Sequence, residues 1–174
     1  MTEGNTTPEA VEHGRSEVLG ERLKERIYAS LTLLAVLVGL AQGGHPTHRG
    51  AAVSVVVTAL GLWLATLVAD VQAHPVAHGR RPTVREVRRA LFTSSPLLTC
   101  AVGPVLLIGL SAAGVMELTT ALWISVGSEV VALALWGFVG GRRVGAGPVR
   151  ALVTAALNTA IGLGVVAVKL LAGH

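Results

Sequence analysis

Glu129 is the only acidic residue in the apolar stretch WISVGSEVVALALW (123–136), which makes it the chain's first candidate for chemistry. A charged carboxylate deep in hydrocarbon is costly unless it is paired, hydrated or protonated, so such residues face a bundle interior and often mark ion or proton paths. Counted from the other side, Asn158 reaches a comparable depth. Thr154, Asn158, Gly162 and Lys169 fall on one helical face at i, i+4, i+8 and i+15, and Ser125 and Ala132 flank Glu129 at i−4 and i+3. This spacing predicts a Glu129–Asn158 contact with Ser125 or Ser128 nearby. The small residues Ala155, Ala156, Ala160 and Gly164 would let the two backbones approach. Such a pair can bind a proton or a small cation, or simply fasten two helices.

A second constellation is Asp70, His74 and His78, spaced four apart in DVQAHPVAH. On a continuous helix they would offer a carboxylate and two imidazoles to a divalent cation. Pro75 removes an amide donor and is expected to end or bend the helix there, which leaves Asp70 and His74 in register. The alternative is that these are solvated residues at a helix end, with Asp70 paired to Arg26 or Arg80. A third group, Arg85, Arg88 and Arg89, either recognises acidic lipid headgroups or acts as an orientation signal at the interface. Glu117 and Lys169 are placed to form an interfacial ion pair.

The elements that must position these residues are apolar. Hydrophobic residues make up 52% of the chain and charged ones 14%, and the mean hydropathy is +0.65, a composition outside the soluble globular range. Runs of the length needed to cross a bilayer as helices, about 17–25 residues, appear near 27–43, 51–71, 96–113, 118–139 and 149–171. The expectation is an all-α polytopic membrane protein: a polar, partly disordered tail over 1–26, then a five-helix transmembrane domain over 27–172. Residues 1–26 lack the short basic leader and cleavage site of a signal peptide, so the first span is read as retained.

Arginine sets the expected orientation. The tail holds Arg15, Arg22, Lys24 and Arg26; the loop after span two holds Arg80, Arg81, Arg85, Arg88 and Arg89; Arg142, Arg143 and Arg150 lie between spans four and five. Only Arg49 and Lys169 fall elsewhere. Basic short loops stay cytoplasmic, which predicts a plasma-membrane protein with its N-terminus inside and its C-terminus outside.

Local signals refine the boundaries. Thr83-Val84-Arg85-Glu86 has capping-box spacing, and Val84, Val87 and Leu91 follow at i, i+3 and i+7, so a short amphipathic helix is expected to lie on the inner leaflet. Ser95-Pro96 reads as N-cap and first residue of span three, Pro104 should bend that span, and Gly147-Pro148 marks a break. From about Ser16, Leu19, Leu23 and Ile27 suggest a helix entering span one. Trp136, Trp123 and Tyr28 suit interfacial anchoring, and Trp63 suits packing. Cys100, the single cysteine, reads as a packing residue. The basic residues form no patch with aromatics, which argues against nucleic acid. No phosphate-binding loop, dinucleotide fingerprint, zinc-finger spacing or nucleophile elbow is present, and no cofactor is implied.

Glu25-Arg26-Ile27-Tyr28 opens span one, and Leu62-Trp63-Leu64-Ala65 is followed by Asp70. In these residues the chain resembles a group of small actinobacterial integral membrane proteins whose first span opens ERIY. That group tends to read WLAH in its second span, with another histidine four residues on; here those places hold Thr66 and Asp70. The resemblance implies an uncharacterised membrane protein. Five spans are also a feature of vacuolar iron and manganese transporters, but Met1 and Met116 are the only methionines, and their acidic, methionine-bearing metal sites are not found.

Three functions are consistent with this reading. The first is a non-catalytic scaffold or partner subunit, self-associating or bound to another membrane protein. The second is a proton or cation transporter or channel, with Glu129 binding the ion, Asn158 orienting it and Asp70 at the inner mouth. The third is a lipid-modifying enzyme using Asp70, His74 and the basic inner helix, although no nucleophile stands beside a base.

Overall fold

The computed structural model describes residues 8–44, 46–80, 83–143 and 147–172, with side chains described from Leu19 onward except 76–78 and 143. Every regular element among them is helical: α1 (Pro8–Gln42), α2 (His48–His78), α3 (Val84–Ser94), α4 (Pro96–Cys100), α5 (Val102–Ala112), α6 (Leu118–Arg143) and α7 (Pro148–Ala172). Among the described residues, four segments are long and apolar enough to cross a membrane: His48–Pro75, Val84–Ala112, Leu118–Arg142 and Pro148–Ala172. These helices suit a multi-pass membrane protein.

The segments form an arc in the order α2, α3–α5, α6, α7. α1 lies within the arc and packs against α2, α3, α4, α6 and α7. Leu33, Leu34, Leu37 and Val38 of α1 make the centre of the core with Val55 of α2, Ile108 of α5, and Leu122 and Leu133 of α6. α2 and α7 stand at the ends of the arc and keep broad exposed apolar faces. Because successive helices alternate in direction, Arg22, Arg26, Arg80, Arg85, Arg88, Arg89, Arg142 and Arg150 gather at one end of the bundle. Arg49 and Lys169 lie at the other.

The α6–α7 seam is the closest approach in the bundle. A β-carbon on Gly141 would sit 2.6 Å from Ala151 Cα, and one on Gly137 would sit 2.9 Å from Ala155 Cα. Glycines four apart on one helix, facing alanines four apart on the other, let backbones touch where side chains would hold them apart. Of the small residues expected at this seam, Ala155 is there, whereas Ala156, Ala160 and Gly164 are exposed on the opposite face of α7.

Several local expectations are corrected. α1 already begins at Pro8, ahead of the Ser16 reading. Pro75 lies inside α2, which continues to His78 and ends on Gly79 in the left-handed conformation, whose amide donates to the Pro75 carbonyl. The capping box of Thr83 and Glu86 is present, with Thr83 N donating to Glu86 Oε2 at 2.7 Å. The helix it starts packs along α2 and α1 and leads into α4, so it extends span three instead of lying flat on a leaflet. Ser95 is helical and makes no cap. Its hydroxyl donates to the Phe92 carbonyl at 2.8 Å, the acceptor left open because Pro96 has no amide hydrogen. Instead of at Pro104, the regular helix is interrupted at Ala101, between α4 and α5.

Candidate functional site

On α6, Leu122, Ser125, Val126, Glu129 and Leu133 repeat at helical spacing and are all buried. Glu129 is 6% exposed and lies about eleven residues from the start of α6, roughly 16 Å along the helix. α1 supplies its main polar neighbours. Ser30, 1% exposed, points its hydroxyl at the Glu129 carboxylate and the Cys100 thiol of α4, and Arg26 sends its charge toward both. Ser30 Oγ nonetheless meets no partner at full hydrogen-bond geometry. Arg26 is one turn nearer the arginine-rich end, with its guanidinium 4.4 Å from the Trp136 ring centroid and Nη2 donating to Thr99 Oγ1 at 3.4 Å.

Glu129 therefore faces Ser30 and Arg26 of α1 and Cys100 of α4, and the side-chain bond of Asn158 goes to Leu133 instead of to Glu129. Asn158 Nδ2 donates to the Leu133 carbonyl at 3.4 Å and lies across from Gly137. The tight Gly141–Ala151 seam sets the register, and it leaves Asn158 about one turn closer to the arginine-rich end than Glu129. Ser125 and Ser128 are also turned away from the carboxylate: their hydroxyls donate to the carbonyls of Ala121 and Ser125, both at 2.8 Å. Toward the opposite end, Leu34, Leu37, Val38 and Leu122 are fully buried in the apolar core.

Asp70 belongs to a separate cluster at the arginine-rich end, between α1 and α2. Its charged neighbours are Glu21 and Lys24, and Asp70 in turn faces Glu25. It pairs with neither Arg26 nor Arg80. Arg80 instead holds Glu86 with both guanidinium nitrogens, at 3.0 and 2.6 Å. Lys24 Nζ binds Glu21 at 2.8 Å and lies 3.8 Å from Glu25, and Thr66 donates to Glu25 Oε2 at 3.4 Å. Glu25 is buried just ahead of the apolar run of α1. Burial pushes its carboxyl above the usual range, Lys24 opposes that shift and Asp70 reinforces it.

His74 Nε2 approaches Glu86 Oε2 at 3.4 Å, and the His78 side chain lies outside the described residues. Among the described residues, no three His, Cys, Asp or Glu side chains are grouped to hold a metal ion. Arg85, Arg88 and Arg89 are exposed along α3. Glu117 and Lys169 make no ion pair with one another among the described residues.

Reading the chain for isolated polar residues missed Ser30, Arg26 and Cys100 as neighbours of Glu129. The signal was available, since Arg26 and Ser30 are four apart and begin the face that continues through Leu33 and Leu37 into the core. No protein-family model matches the chain, and comparison with curated proteins and with solved structures finds no match.

Proposed function

We propose that this chain is a five-span plasma-membrane protein, N-terminus inside and C-terminus outside, that works without catalysis as a scaffold or partner subunit. The fifth span in this reading is the apolar half of α1, supported by its position among the four long apolar helices. The orientation rests on the arginine-rich end being cytoplasmic. The observation that carries the functional reading is the pair of open faces at the ends of the arc. Leu157 and Ile161 of α7, and Val57 and Leu64 of α2, are each more than half exposed. Faces of this kind can take up a neighbouring helix as well as lipid.

A photo-crosslinking amino acid placed at Leu157 or Leu64 in native membranes tests this. A discrete protein adduct is expected from either exposed position, and none from the buried Leu133. Adducts to lipid alone at both exposed positions would remove the partner reading.

A second reading rests on Glu129. A carboxylate this deeply buried, with Arg26 one turn toward the arginine-rich end and the unbonded Ser30 hydroxyl beside it, suits a proton or small-cation site entered from that end. In proteoliposomes, ion flux abolished by Glu129→Gln and retained by Asp70→Asn would favour transport. Flux indifferent to Glu129→Gln, with lowered thermal stability, would make Glu129 a fastener.

A further inference from the structure

The arginines of α1 and α3 share one end of the bundle without acids paired to neutralise them. Among the described residues, Arg22, Arg26, Arg85, Arg88 and Arg89 enter no ion pair. The one acid of α3, Glu86, is already held by Arg80 and Thr83. The charge of Arg26 also faces Glu129, but not at ion-pair distance.

The packing explains where these charges point. α5 packs on α6, whereas α3 and α4 pack on α1 and α2. Toward the arginine-rich end this sets α3–α4 and α6 on two sides of α1, and the interval between them is the crevice in question. Two arginines one turn apart on α1 reach its walls. Arg22 lies 4.7 Å from the centroid of Phe92 on α3, and Arg26 lies 4.4 Å from the centroid of Trp136 on α6 while bonding to Thr99 of α4. Stacking fixes the guanidinium planes and leaves their edges free to donate. Arg22 Nε is buried with no hydrogen-bond partner, a donor that the protein itself does not satisfy.

The mouth of the crevice continues this chemistry. Phe92 is 62% exposed, with Arg88 and Arg89 one turn before it on the exposed side of α3. Toward the opposite end the same segment presents Val102, Leu106 and Leu110, all exposed. Unpaired guanidiniums, an aromatic at the boundary and then an apolar strip are the sequence of surfaces offered by a site for a phospholipid: phosphate first, acyl chain after.

We infer that this crevice binds an anionic phospholipid, with Arg22 and Arg26 donating to its phosphate, Arg88 and Arg89 adding to the field at its mouth, and an acyl chain lying along Val102, Leu106 and Leu110. The site requires membrane insertion, but neither the partner-subunit reading nor the transport reading.

The full chain carrying Trp63→Phe and Trp123→Phe retains Trp136, the crevice wall, as its one tryptophan, which is excited selectively over Tyr28. It would be reconstituted in vesicles of phosphatidylcholine containing a small fraction of brominated phosphatidylglycerol or of brominated phosphatidylcholine. Stronger quenching by the anionic lipid at equal fraction is expected. Each of Arg22→Gln and Arg26→Gln should lower that preference about fivefold, and Arg150→Gln, at the same end on α7, should leave it unchanged. Arg22→Gln is the safer variant, because Arg22 stacks on Phe92 of α3 alone among the aromatic rings, whereas Arg26 also joins α4 to α6.

Equal quenching by the two lipids, or a preference that survives Arg22→Gln, would overturn the site. Quenching by neither lipid would overturn membrane insertion and the site together.

Discussion

Gly141 of α6 lies against Ala151 of α7 so closely that a β-carbon at position 141 would sit 2.6 Å from the Ala151 α-carbon. Backbone cannot yield as a flexible side chain does, so Gly141→Ala must separate the two helices or bend one of them. Overpacking of this kind costs about 1–3 kcal/mol, and thermal unfolding in detergent should show a clear loss for Gly141→Ala and for Gly137→Ala. Gly109, with nothing within 4 Å of its β-position, is the control. Gly109→Ala should be neutral or slightly stabilising, because alanine is the better helix former.

The same seam separates Asn158 from Glu129, and a double-mutant cycle can read that separation. Asn158→Ala removes the bond to the Leu133 carbonyl and should cost about 0.6–1 kcal/mol. Glu129→Gln alters the neighbourhood of Ser30, Cys100 and Arg26. The two sites share no partner, so their effects should add to within about 0.5 kcal/mol. A larger coupling energy, measured by unfolding of the two single variants and the double variant, would restore the direct contact.

How legible each of these features was depends on the range of the physics behind it. The apolar runs at 51–71, 118–139 and 149–171 fall within α2, α6 and α7, because span length and hydropathy are properties of a single helix. The Thr83–Glu86 capping box is likewise local, complete within four residues. The Arg26–Ser30 face of α1 was legible as a helical stripe, but its meeting with Glu129 was not, because that depends on which helix the glutamate's face meets and at what height. Depth counted from the span ends could not give that height, since it is set by glycine-on-alanine contact between Gly141 and Ala151. Pro75 shows a local rule overridden: a proline that would end an isolated helix is carried inside α2, where α3 packs alongside.

Ser95 and Pro96 make a coupled pair. Pro96 deprives the Phe92 carbonyl of its helical donor, and the Ser95 hydroxyl replaces it at 2.8 Å. Ser95→Ala should therefore cost about 1 kcal/mol and speed amide exchange between α3 and α4. In a Pro96→Ala background the carbonyl recovers an amide donor, so the serine should matter less. Equal effects of Ser95→Ala in both backgrounds would mean that the hydroxyl does not substitute for the missing amide.

Glu25 sets the expected pH dependence at the arginine-rich end. Its carboxyl is pushed above its ordinary value by burial, with Asp70 adding to the shift and Lys24 resisting it, so the folded chain binds this proton more tightly than the unfolded chain does. Protonation therefore favours folding. The contribution is fully present below the unfolded carboxyl's ordinary value, declines as the pH rises, and is lost once the pH passes the raised folded value. The purified chain should have a higher melting temperature near pH 5 than near pH 7.5, and Glu25→Gln, which keeps an oxygen for the Thr66 hydroxyl, should narrow that difference mainly by raising the value at pH 7.5. Glu21, exposed on α1 and paired with Lys24, is the comparison. Glu21→Gln leaves Lys24 free to face Glu25 and removes one negative neighbour, so it should not reproduce the narrowing through loss of burial. If the two variants titrate alike, the pH response arises from the cluster's net charge, and the buried Glu25 carboxyl has no special part in it.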